Sequence, residues 1–319
     1  MSEPIRIEMP TPFSVGPVNA FLFLEPEPVL VDCGQKMEMS RTALEKGLDK
    51  HGLKFTDIKR VILTHAHVDH VGMAGDFAAE ANAMVWASEL TYDWVHRVDE
   101  VWQARVDVME ESLVLGGAPE DDQKIAVAYM RQMPQLWSAV PAKNLVRFPI
   151  DGELTFGGHV WQVIHAPGHT RTQTCFFQPE TGWLLSADML LHKSPAPVIE
   201  SDGNGKRIPG LVEHVESMER FKALEISKIF PGHGPIMDDH RGLIERQLAR
   251  IEVRRDECFD LVAAGHETVF AITEQMYTHL PQGARGVGFG MVIGYLDLLI
   301  DAGRVSRDVV DGVWRFSAA

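Results

Sequence analysis

The chain is poor in cysteine. It has three in 319 residues, Cys33, Cys175 and Cys258, and none forms a CxxC pair. That excludes a disulfide framework and a thiolate-type zinc site, and it predicts a reducing, cytoplasmic setting. No apolar run of about eighteen residues occurs, so no membrane span is expected. The segment from Met1 to Arg6 lacks a basic start and an apolar stretch, so no secretory signal is expected. Positive charge is also short: 30 Lys and Arg stand against 45 Asp and Glu, a net of −15. That disfavours a polyanionic partner over the surface as a whole and leaves room only for a local basic cleft. Histidine, by contrast, is plentiful, with 14 residues. Their clustering carries more information than their number.

The densest cluster is Thr64-His65-Ala66-His67-Val68-Asp69-His70, directly after the apolar run Val61-Ile62-Leu63. Buried imidazoles and carboxylates need partners, so packing alone rarely assembles such a group. Histidines two apart on an extended segment project to one side, so His65 and His67 can grip one ion. Asp69 and His70 follow as the chain turns and can face a second. Two later segments offer more ligands: Pro167-Gly168-His169-Thr170 and Pro231-Gly232-His233-Gly234. In each, Pro-Gly predicts a sharp turn that lifts a histidine off a strand end. Between them, Leu184-Leu185-Ser186-Ala187-Asp188 places a carboxylate just past an apolar strand.

The length allows a sizeable core and more than one domain. Strands are expected at 5–8, 18–24, 29–32, 61–64 and 84–87, with helices at 38–51 and 74–81, an alternation that predicts layered α/β architecture. Residues 90–143 read as a helical insertion, with helices at 94–115 and 120–133 separated by Gly116-Gly117-Ala118-Pro119. Its tryptophans and methionines form either its own core or the inner face of a lid. Strands resume at 145–148, 153–156, 159–165, 174–177 and 183–186, and a hairpin turn is expected at Gly157-Gly158. Helices at 211–224 and 239–264 flank a strand at 228–230. Residues 247–319 read as a small module of helices ending in a hairpin at Asp311-Gly312, in the order of a winged helix. The main domain is thus expected to comprise 1–89 and 144–246.

The ordered set HxHxDH, GHT, AD and PGHG resembles the metallo-β-lactamase superfamily over about residues 15–240. The resemblance implies a four-layer αββα sandwich carrying the helical insertion and the winged-helix-like module. It also implies that His65, His67 and His169 hold a first metal, that Asp69, His70 and His233 hold a second, and that Asp188 bridges them. Asp32, in Val31-Asp32-Cys33-Gly34, matches an early motif whose aspartate orients the histidine loop. Cys33 reads as a buried strand residue. Two Zn²⁺ about 3.5–4 Å apart can share one water and bring its pKa towards ~7, giving a bridging hydroxide. Imidazole and carboxylate also admit iron or manganese.

An aspartate at 188 resembles the glyoxalase-II-like thioesterases, lactonases, phosphodiesterases and RNA-processing members rather than true β-lactamases. The tail points to the subgroup containing β-lactamase-like protein 2. The expected activity is hydrolysis of a small acyl substrate, a thioester, ester or lactone. Asp69 could double as proton acceptor, and His192 is a substrate contact or proton donor. The alternative is an endoribonuclease or phosphodiesterase, and iron-dependent sulfur dioxygenation shares HxHxDH. Acidic residues outnumber basic ones from Arg250 onward, so nucleic acid is the less favoured partner and the tail reads as a structural or homodimer element. Arg246, Arg250 and Arg254 form a stripe on one helix face that reads as solvated. Tyr92 and Tyr129 are the tyrosines that could steady an oxyanion, and His165, shortly before the GHT turn, reads as a residue behind the ligands or packed in the sheet.

Overall fold

The computed structural model describes residues 3–193, 199–201, 205–279 and 285–319. The first sheet holds β1 (Ile5–Met9), β2 (Val18–Phe23), β3 (Val29–Val31), β4 (Arg60–Ile62), β5 (Met84–Ser88) and β6 (Leu145–Phe148), in that spatial order. β1, β2 and β3 pair antiparallel, and β3 through β6 pair parallel. The second sheet runs in reverse order through β7 (Glu153–Phe156), β8 (His159–His165), β9 (Thr174–Gln178), β10 (Trp183–Ala187) and β11 (Lys228–Pro231). Only β10 and β11 pair parallel there.

Strand periodicity sorts the residues into layers. In β2 every residue is buried. Phe21 and Phe23 enter a cluster with Trp161, Phe176 and Phe230 between the sheets, whereas Ala20 and Leu22 join the opposite face. Side chains that alternate across a strand explain this division, and a strand buried on both faces explains the lack of polar alternation. Outside the first sheet lie α1 (Glu38–Asp49), the single turn α2 (Val68–Val71) and α3 (Ala74–Glu80). α1 buries Ser40, Leu44 and Leu48 at helical spacing. Outside the second sheet lie α7 (Gly210–Lys222) and α8 (His240–Ala263). The result is the expected αββα sandwich.

The insertion is α4 (Glu89–His96), α5 (Val98–Leu115) and α6 (Glu120–Gln132). The single helix expected at 94–115 is broken at Arg97, whose backbone leaves the helical region (φ −119, ψ 52). Trp94 and Trp102 would stand about 12 Å apart along a straight helix. Across the break their rings come to 6.1 Å, edge to face. The insertion has no isolated core: Trp102, Val127, Met133 and Trp137 join the cluster outside the first sheet, while Leu113 and Ala118 join the cluster outside the second.

The tail consists of α8, α9 (Val269–Met276), α10 (Arg285–Asp301) and the hairpin β12 (Val305–Val310) with β13 (Val313–Ala318). The order of elements is the expected one. The expected boundary at 246/247, however, falls inside α8, a continuous 24-residue helix capped by Asp239, which accepts a hydrogen bond from the Gly242 amide. Residues from α8, α9, α10 and the hairpin share one buried cluster with Leu184, Leu211 and Phe221. No helix among the described residues is long and apolar enough to cross a membrane.

Candidate metal centre

Five strand ends meet at one rim. β3 ends just before Asp32, β4 runs into His65 and His67, β8 leads to His169, β10 ends just before Asp188, and β11 leads to His233. α2 presents Asp69 and His70 within a single helical turn. Local backbone makes these exits possible. Gly168 has φ +135, and a Cβ there would lie 2.3 Å from the His214 backbone. Ala187 and Asp32, both buried, also take positive φ, an uncommon conformation outside glycine that clusters at functional sites. Asn19, at the start of β2, ties the two sheets together below the rim. Its amide group donates to Pro231 O and Gly234 O, each at 2.9 Å, and its backbone N–H donates to Gly232 O at 2.7 Å.

All seven side chains expected from sequence come together. His67 Nδ1 lies 3.2 Å from His65 Nε2 and 2.9 Å from His169 Nε2. His233 Nε2 lies 3.2 Å from Asp69 Oδ2 and 3.5 Å from Asp188 Oδ2. The Asp188 carboxylate stands between the two groups, with Oδ1 3.4 Å from His70 Nε2 and Oδ2 3.4 Å from His169 Nε2. Three sets could each hold a metal ion: His65, His67 and His169; His65, His70 and Asp188; and Asp69, His70 and His233. His70 Nε2, His233 Nε2 and Asp188 Oδ1 are buried without a hydrogen-bond partner despite these approaches. Buried polar atoms are rarely left so.

Outer contacts orient the rings. Asp32 Oδ2 accepts from His70 Nδ1 and from the Thr64 hydroxyl, each at 2.8 Å, and Asp32 Oδ1 accepts from the Thr64 amide at 2.9 Å. The Thr64 oxygen in turn meets His65 Nδ1 at 3.0 Å, and His233 Nδ1 donates to Pro17 O at 2.9 Å. Each arrangement fixes a proton on Nδ1 and leaves Nε2 free to coordinate. The expected role of Asp32 therefore has a geometric basis.

The electrostatics favour bound positive charge. Burial pushes His65 and His67 well below the ordinary histidine range, and neighbouring imidazoles push them further. Burial also opposes a charge on His70, but Asp188 and Asp32 outweigh it and pull that pKa well up. Asp188 is held well below the usual carboxylate range because His233 and His70 overcome its desolvation. The carboxylates at the centre thus stay ionised in spite of their burial.

Residues outside the seven divide clearly. Cys33 is buried, donates to His70 O at 3.3 Å and has its thiol pKa pushed well up by burial and Asp32, so it is a packing residue. His165 Nε2 meets Arg171 O at 2.8 Å, closing the GHT turn. His192 is exposed and lies against Gly234, where an added Cβ would fall 2.4 Å from its Nδ1. It makes no hydrogen bond or ion pair to any of the seven. Tyr92 lies under the Arg147 guanidinium. Tyr129 is half-exposed on α6, and its pKa is raised first by burial and then by the charge of Asp69. In the arginine stripe, Arg246 pairs with Asp239 and Arg254 with Glu257. Thr172, Glu200 and Arg105 had no sequence signal. Thr172 accepts from the Ala66 amide at 3.0 Å, and Glu200 accepts from Thr170 and from the Arg171 amide at 2.7 Å.

The model of the metallo-beta-lactamase superfamily matches residues 14–233, well over half of the chain. The chain belongs to that superfamily. It is similar to a Bacillus subtilis protein named probable metallo-hydrolase YqjP, at 26% identity over 92% of this chain and 91% of that one. A beta-lactamase-like protein 2 homolog from Caenorhabditis elegans is 22% identical over 86% of this chain and 76% of its own. Among solved structures, a beta-lactamase domain protein from Burkholderia ambifaria superposes with TM-score 0.82 at 24% identity, covering 98% of this chain and 92% of that one. The family protein TTHA1429 from Thermus thermophilus superposes with TM-score 0.79, also at 24% identity, over 98% of both chains. Both superpositions extend beyond the matched residues 14–233 to cover the tail.

Proposed function

We propose that this chain is a metal-dependent hydrolase of small acyl substrates, thioesters, esters or lactones, loaded with two divalent cations. One observation carries the reading. Donor atoms around a tetrahedral cation at 2.0–2.1 Å are separated by about 3.3 Å. The contacts among the seven side chains fall between 2.9 and 3.5 Å, and the buried atoms left unpartnered are among those that would coordinate. The donor set of imidazole and carboxylate suits zinc and also iron or manganese. His65, His67 and His169 would hold one ion, Asp69, His70 and His233 the other, and Asp188 would bridge.

Bound cations of this type supply Lewis acidity and an activated water. The chain's own residues do the rest. Asp32, Thr64 and the Pro17 carbonyl keep the imidazoles in the coordinating tautomer. Asp69, whose carboxylate pKa is lowered by the adjacent His233 and His70 in spite of burial, can accept a proton as the acyl adduct collapses. His192, exposed beside the centre, is the proposed proton donor to the leaving group. The name of the Bacillus relative supports hydrolysis. The net acidity and the paired arginines of α8 favour an acyl substrate over nucleic acid. The buried, unpaired cysteines fit a cytoplasmic setting. Residues 247–319 serve as a winged-helix-like structural element.

Elemental analysis coupled to a panel of thioesters, esters, lactones, bis-aryl phosphates and single-stranded RNA tests this. The expected result is two divalent ions per chain and acyl turnover that chelation removes and metal restores. Turnover of RNA alone would overturn the acyl assignment, and stoichiometric loading below one ion would overturn the centre.

A further inference from the structure

Among the described residues, one buried cation beside the centre lacks a hydrogen-bond acceptor that satisfies it. Arg105 lies on α5 of the insertion and is 5% exposed. Its guanidinium lies over the Trp102 ring, 4.9 Å from the centroid. Nη1 is 3.7 Å from Glu200 Oε1, an ion pair but too long for a hydrogen bond. Glu200 is already engaged by the Thr170 hydroxyl and the Arg171 amide. Among the described residues, Arg105 Nε and Nη1 have no hydrogen-bond partner. Nη2 meets only His67 Nε2, at 3.4 Å.

That last contact is a poor hydrogen bond by chemistry as well as length. His67 Nδ1 faces His65 and His169, so a neutral His67 that coordinates through Nδ1 carries its proton on Nε2. A donor then faces a donor. Among the described residues, Arg105 is left with five N–H groups and no hydrogen-bond acceptor, next to the candidate centre, and Glu200 offsets its charge only from 3.7 Å. Buried donors in that condition are costly unless an acceptor arrives.

We propose that Arg105 is the specificity residue of this site, recognising a carboxylate carried by the acyl substrate. A planar guanidinium matches a carboxylate's two oxygens. A monoanion suits the position better than a phosphate dianion, because Glu200 already places one negative charge beside it. The substrate's acyl chemistry rests on the hydrolase reading above; the anion site rests on the geometry of Arg105 alone. Specificity would then be set by the insertion while the sandwich supplies the reaction.

The test uses the metal-loaded protein and two readouts. The first is turnover of a succinyl thioester against the butyryl thioester of the same thiol. The second is calorimetric binding of succinate against its neutral diamide. Wild type should favour the charged member of each pair, and Arg105→Met should erase about 10- to 100-fold of that preference, the range of a hydrogen-bonded charge pair. The loss should fall in KM, with metal content unchanged. Arg105→Lys keeps the charge and the Glu200 pairing but loses the fork, so it should recover part of the preference; it also covers the case in which the methionine variant does not fold. Equal succinate affinity in wild type and in Arg105→Lys and Arg105→Met would overturn the assignment. Arg105-dependent succinate binding with no turnover of any thioester, ester or lactone in the panel above would sustain it and reject the acyl hydrolase reading instead.

Discussion

Gly232→Ala places one methyl group against the proposed bridge. A Cβ at Gly232 would lie 2.2 Å from Asp188 Oδ1 and 2.8 Å from His70 Cε1. Ordinary contact begins at 3.4 Å, so the carboxylate would have to retreat by about 1.2 Å. A free carboxylate could rotate away at little cost, but Asp188 is buried and meets His70, His169 and His233. His70 is pinned from behind by Asp32 at 2.8 Å. The displacement therefore falls on the donor geometry. A misplacement of about 1 Å costs on the order of 100-fold in turnover, and a comparable disturbance of ligand support costs about 10- to 100-fold in metal affinity. Competition with a chromogenic chelator reads the affinity directly, and kcat on the best substrate reads the turnover. Gly286→Ala, a helical site where an added Cβ meets nothing within 4 Å, controls for the glycine change itself. Wild-type metal affinity and wild-type kcat in Gly232→Ala would refute both the packing at the PGHG turn and the bridging place of Asp188.

Two further expectations follow from the surroundings of the centre. Asp32→Ala removes the acceptor shared by His70 Nδ1 and Thr64; metal affinity should fall about 10- to 100-fold with the fold retained, and an unchanged chelator titration would contradict the orienting role. His214 is buried and its pKa is pushed down to about 3, first by burial and then by His169. The native state therefore keeps it neutral while the unfolded chain protonates it near pH 6.5, so stability is complete above that pH and drains away as pH falls towards 3. At pH 5 the loss should be about 2 kcal/mol, read as the difference in urea stability between pH 7 and pH 5. His214→Asn should flatten that difference, and an equal pH dependence in the two proteins would dismiss the assignment.

The seven side chains of the centre were legible because each sits in a short segment whose turn residues announce a strand end, as in the Pro-Gly pairs before His169 and His233. The sheet order was less accessible, since pairing β3 with β4 depends on packing across a helix rather than on any local pattern. The break at Arg97 left no glycine or proline to mark it; tertiary contact between Trp94 and Trp102 accompanies it. Arg105 and Glu200 were invisible for a related reason. An arginine on a helix reads as solvated until the fold shows which face is covered. The continuous α8 concealed the tail in the same way, because a helix shared by two units carries no boundary signal.

That shared helix has a consequence for how this protein can be altered. The Phe270 amide donates to Gly116 O at 3.0 Å, and a Cβ at Gly116 would strike the Phe289 ring at 2.3 Å. The C-terminal end of α5 is thus seated directly on the C-terminal helices. Deleting residues 247–319, or grafting another tail in their place, would not release a trimmed catalyst: it would strip the apolar backing from β10 and unseat the helix that carries Arg105. The tail behaves as a keystone rather than an interchangeable cassette.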